Sequence, residues 1–130
     1  MTDDRYDRGM EVLREHFGPR ADALIEKVRQ ASPDFAQINV QFPFGELYRR
    51  PGLDQKTREL CALAGLACLG HALPQLRLHV HGALRCGATE QEVLEVIIQM
   101  IAYAGFPAAT NALLAAAESI REHRGESGSA

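Results

Sequence analysis

Residues 60–69, LCALAGLACL, carry no polar side chain apart from two thiols, and this run constrains the fold more than any other part of the chain. A helix that is apolar on every side has no face to offer water, so it is expected at the centre of the fold, buried all round. Glu59 stands at its mouth, with Asp54 before it as the expected cap and Gly70 after it as the expected close. A second helix follows between Pro74 and Gly87. At about 100° per residue, Leu76, Val80, Ala83 and Leu84 fall on one arc, and His79 lies inside it as the i+3 neighbour of Leu76. His81 falls with Arg77 and Arg85, at i, i+4 and i+8, on the opposite polar stripe. The pattern therefore predicts one inward histidine, His79, and one outward, His81.

The remaining elements read as helices. Met10, Leu13 and Phe17 recur at helical spacing before Gly18-Pro19, and Ala23, Leu24 and Val28 give a short second helix an apolar edge. Ser32-Pro33 supplies an N-cap and a first-turn proline for a third helix, which Pro43 must break or kink. Thr89 with Glu92 forms a capping box for VLEVIIQMIAYAG, which is apolar on most sides and is expected to pack on the central helix. Gly105-Phe106-Pro107 makes a break, and an alanine-rich helix ends the chain. The fold class is all-α, with a single domain over residues 1–124 and a disordered tail over 125–130.

Composition narrows the function classes. A formal charge of −3 without a long basic run argues against nucleic acid as a partner. The start, MTDDRYDRG, is acidic where a signal peptide is basic and then apolar, and no apolar stretch is taken to reach about 18 residues without charge, so a cytoplasmic protein with no membrane partner is expected. Cys61, Cys68 and Cys86 are an odd number, and the first two stand roughly 10 Å apart along one helix, beyond disulfide reach. They are expected to be buried free thiols. No metal site is expected, because His79 and His81 are i, i+2 on a helix and point apart, with no second cluster to complete a ligand set.

The segment HVHGALRCGATEQEV, preceded by a helix beginning RE and followed by YAGFPAA, resembles the carboxymuconolactone decarboxylase family. The resemblance extends upstream through FGELYRRPGLDQKTREL, which is similar to the Gly-Asp-x-Trp-x-Arg-Pro-Gly-Leu segment of the decarboxylase branch, and covers roughly residues 5–120. Glu46 and Tyr48 stand where that segment commonly has Asp and Trp. The Cys-x-x-Cys pair of the peroxidase branch is absent, with Ala72 and Gln75 in its places. The resemblance implies an AhpD-like fold of six to seven helices, assembled as a homo-oligomer, a trimer or a hexamer. It further implies decarboxylation of 4-carboxymuconolactone, or a related small lactone or keto acid, without a cofactor.

Site residues follow from pattern and resemblance together. A lone histidine on an apolar arc is more often a core residue than a catalyst, but His79 matches the family's active-site histidine and is the candidate proton donor. Glu59 reads either as a first-turn acid favoured by the helix dipole or as the partner of His79, since its i+4 and i+7 neighbours are Leu63 and Leu66 and a carboxylate there needs one. Arg49, Arg50, Arg77 and Arg85 are candidates to grip a carboxylate. Arg50 is preferred because it matches the family segment, and Glu46 and Tyr48 from the same segment join it as substrate-binding candidates. A non-catalytic helical oligomer that binds a small ligand is the alternative, and a thiol peroxidase the disfavoured third reading.

Overall fold

The structure, a computed structural model, describes residues 3–128, with side chains as far as residue 126. Every regular element among them is helical, as expected. The chain divides after Asp54 into two compact units.

The first unit contains α1 (Arg5–Phe17), α2 (Arg20–Ala31) and α3 (Pro33–Asn39), followed by a π-helical turn (Val40–Phe44) and a short 3₁₀ turn (Leu47–Arg49). Met10, Leu13 and Phe17 of α1 are buried, as their spacing predicts. On α2 the buried residues are Ala21 and Ile25, whereas Ala23 is exposed and Leu24 and Val28 are half-buried. The apolar edge is thus rotated from the predicted one. Ser32 caps α3 by accepting the Phe35 N–H at 3.2 Å, with Pro33 in the first turn. Pro43 has no N–H to give and its ring crowds the preceding turn, and the chain accommodates it by widening into the π turn, which closes with Gly45 N–H on Val40 O at 3.0 Å. A Cβ on Gly9 would strike the Val40 carbonyl, so glycine is what lets α1 lie against that turn.

The second unit has three helices, α4 (Gln55–Leu69), α5 (Leu73–Arg85) and α6 (Glu90–Gly128), each packed on the other two. Gly70 and Gly87, at φ of 79° and 100°, end α4 and α5 in a conformation that side chains resist. The capping box of α6 forms as predicted: Thr89 N–H donates to Glu92 Oε1 at 2.9 Å and Glu92 N–H to Thr89 Oγ1 at 3.0 Å. The Thr89 N–H, and then Lys56, hold the Glu92 carboxyl below its usual range. Gly105, at φ 85° and ψ 166°, breaks α6 where a break was expected. The helix continues to Gly128, into the stretch 125–130 expected to be a disordered tail, and residues 129–130 lie outside the described residues.

The core of this unit is one cluster that includes Leu63, Leu76, Val80, Val93, Ile97, Ala112, Ala116 and Ile120. The fully buried residues of α4 are Glu59, Leu63 and Ala67, a single i, i+4, i+8 stripe flanked by the partly buried Leu60 and Leu66, so the expectation of a helix buried all round is corrected. A three-helix unit covers one face of each helix, and an all-apolar sequence then turns the rest outward. The expectation of buried thiols fails for the same reason, since Cys61 and Cys68 are exposed and Cys86 is half-buried. Leu69, Ile98, Tyr103, Phe106 and Leu114 are also exposed, each by half or more of its surface. Residues 96–117 carry no charge, which overturns the expected absence of a long uncharged apolar run, and α6 is long and apolar enough to cross a membrane by length and composition. The break at Gly105 interrupts that run, and its Ile97, Ala112 and Ala116 belong to the helical core.

Candidate active site

Glu59 heads the buried stripe of α4, one turn before Leu63 and two before Ala67, and has no solvent exposure at all. A carboxylate in that position requires a polar partner inside the protein. α5 crosses here and supplies it, with His79 Nδ1 2.6 Å from Glu59 Oε1. The His79 side chain keeps 14% of its surface exposed while Glu59 keeps none. The contact has the short length of a charge-assisted hydrogen bond. It fixes the orientation of the imidazole and engages Nδ1, which makes Nε2 the ring's other proton-exchanging nitrogen. A proton-active ring at a partly open position, backed by an enclosed acid, is an arrangement suited to general acid–base work.

The other side of α5 departs from expectation. His81, predicted to face solvent, is 2% exposed. In the polar stripe of Arg77, His81 and Arg85, the first two meet the C-terminal half of α6, His81 enclosed and Arg77 partly exposed, while Arg85 is exposed. Arg77 pairs with Glu118 at 3.1 Å, Ser119 Oγ donates to the Arg77 carbonyl at 3.1 Å, and His81 Nε2 meets Glu122 Oε2 at 3.3 Å. The His81 ring also lies 5.8 Å from that of His123. Both contacts from the stripe to an acid span the same separation of 41 residues. Glu118, Glu122 and Glu126 repeat at i, i+4 and i+8, as Arg77, His81 and Arg85 do. These matching charge stripes are the sequence signal that α5 and the end of α6 are neighbours, and periodicity within α5 alone misses it.

The remaining candidates belong to the first unit. Arg50 and Glu46 are exposed, and Glu46 lies 3.8 Å from Arg5. Tyr48 packs in an aromatic cluster, its ring 5.0 Å from Phe44 and 5.5 Å from His16. Of the predicted residues, then, the structure brings Glu59 and His79 together in one unit and places Glu46, Tyr48 and Arg50 in the other.

Comparison with known proteins identifies the family. The profile of the carboxymuconolactone decarboxylase family matches residues 33–118. The 4-carboxymuconolactone decarboxylase of Acinetobacter baylyi is 34% identical over 119 residues, which is 91% of this chain and 88% of that protein. An uncharacterized 15.0 kDa protein of Paracoccus denitrificans is 38% identical over 107 residues, 82% of this chain and 75% of its own length. The nitrosuccinic acid decarboxylase of Metarhizium robertsii is 29% identical over 120 residues, covering 90% and 82% respectively. Two relatives named for distinct substrates are thus both decarboxylases. The chain belongs to the carboxymuconolactone decarboxylase family.

Proposed function

We propose that the protein is a cofactor-independent decarboxylase acting on 4-carboxymuconolactone or a related small lactone or keto acid, with His79 as the group that touches the reacting atoms. The observation that carries this reading is the 2.6 Å contact between His79 and a fully buried Glu59. When the C–CO₂⁻ bond breaks, its electron pair passes into the conjugated carbonyl, and charge gathers on that oxygen. A donor aimed there lowers the barrier, and a proton must then reach carbon to complete the product. His79 is able to do both from Nε2, while the 2.6 Å contact to Glu59 keeps the ring oriented. Arg50 is the residue that the family resemblance offers for a substrate carboxylate, with Glu46 and Tyr48 beside it in sequence.

The reading includes a homo-oligomer, for which the exposed Leu69, Ile98, Tyr103, Phe106 and Leu114 are the support. Light scattering at micromolar concentration is expected to give a trimer or a hexamer, and a monomer would count against it. The substrate is tested by adding purified protein to enzymatically generated 4-carboxymuconolactone and following its absorbance together with released CO₂. Release of one CO₂ per substrate consumed is expected. Turnover of neither this lactone nor a panel of small lactone and keto acids would favour the ligand-binding alternative.

A further inference from the structure

We propose that His81, His123 and Glu126 form a divalent transition-metal site that ties the C-terminal end of α6 to α5. One ligand-capable atom from each of these side chains lies within 4.8 Å of the others. The three come from two helices: His81 from α5, and His123 and Glu126 from one face of α6 at i, i+3. The absence of a second cluster, on which the expectation of no metal rested, does not hold once the chain is folded.

Several features separate this group from a chance meeting of charges. His81 is 2% exposed, so an imidazole has been committed to the interior at this point. His123 Nδ1 is also buried and makes no hydrogen bond. A neutral His81 that donates Nε2–H to Glu122 carries its lone pair on Nδ1, the form in which a histidine backed by a carboxylate ligates a metal. Glu122 and Glu126 together bring two negative charges to two neutral rings, matching a dication. The donor set of two imidazoles and a carboxylate suits zinc, cobalt, nickel or iron(II), and lacks the thiolate that selects softer ions. Ligand bonds of about 2.0–2.1 Å put donor atoms roughly 3.4 Å apart in a tetrahedral site. The group must therefore draw in by up to about 1.4 Å, which a rotamer change of Glu126, exposed at the end of α6, supplies.

The probe is Co²⁺, whose visible spectrum reports the donor set. The protein is used untagged and with Cys61, Cys68 and Cys86 changed to serine, so that exposed thiols do not compete for the ion. One equivalent of Co²⁺ is expected to bind with the d–d absorption of a low-coordinate nitrogen and oxygen site, to be displaced by Zn²⁺, and to raise the melting temperature. His123→Ala and Glu126→Gln, both on the less buried side of the group, are each expected to weaken Co²⁺ affinity by about tenfold or more, since even groups standing behind a ligand contribute about 10- to 100-fold. Unchanged affinity in either variant would overturn the proposal, as would no binding at millimolar Co²⁺. His81→Ala is left out of the test because losing a buried ring risks the fold itself.

Discussion

α5 offers a histidine to each of two helices, and the two meetings bury opposite partners. Toward α4 the acid is enclosed: Glu59 has no exposure and sits 2.6 Å from a His79 that keeps 14% of its own. Toward α6 the base is enclosed: His81 is 2% exposed and sits 3.3 Å from a Glu122 that is 58% exposed. The difference decides what each contact can do. A carboxylate with no access to water has no substitute for the protein groups around it, so its bond to His79 is hard to give up. An exposed carboxylate trades its partner for water at little cost. The first meeting therefore fixes a ring that remains open on one side, as a catalytic group must be, whereas the second encloses a ring between helices, where it serves to hold them. In the proposed reading, two histidines two positions apart on one helix divide chemistry from assembly.

The largest expected effect breaks the first meeting without emptying it. His79→Gln keeps a donor toward Glu59 but has no proton to exchange, and is expected to lower turnover by about 10²- to 10⁴-fold with little change in melting temperature. His79→Ala is the less informative variant. It takes the nearest partner from a buried carboxylate, which typically costs about 3–5 kcal/mol, so activity and stability fall together. Glu59→Gln is expected to reduce turnover less than His79→Gln, because it keeps the shape and a hydrogen bond while removing the charge. Full activity in His79→Gln would move the chemistry elsewhere, and thermal melts run beside the turnover assay separate that outcome from unfolding.

A middle-sized effect is expected on the other flank, where His81→Ala opens a cavity against α6 and costs about 2–3 kcal/mol, while the folded fraction keeps its turnover. The cost follows from the burial of a ring that was expected to face outward, and that reversal shows what local pattern can reach. The spacing in α5 correctly separates two faces and correctly sends His79 toward the central helix. It says nothing of what covers the second face, because a polar stripe is compatible with water or with another polar stripe. Glu118 and Glu122 lie 41 residues away, beyond any window of helical periodicity. The same limit explains the helix at residues 60–69, where composition shows that no face prefers water but not that the unit is too small to cover every face. Features fixed by neighbours in sequence were legible: the Ser32 cap, the Thr89–Glu92 box and the break at Gly105 all stand where local chemistry puts them.

The smallest expected effect distinguishes what holds the second flank together. Arg77 reaches α6 in two ways, through its guanidinium to Glu118 and through its carbonyl to Ser119. The ion pair looks the more substantial, but its side chains are 42% and 52% exposed, so water and salt compete for both charges and ordering two long side chains costs entropy. Ser119 is fully buried, and its hydroxyl has one donor to place in a site that water does not reach. Ser119→Ala is therefore expected to cost about 1 kcal/mol, visible as a lower denaturation midpoint at unchanged slope. Glu118→Gln is expected to stay within about 0.5 kcal/mol and to lose even that at high salt. If Glu118→Gln proved the more damaging of the two, α5 and α6 would be held at this end by charge instead of by burial. The contrast drawn between an obligatory buried acid on one flank and a dispensable exposed one on the other would then fail.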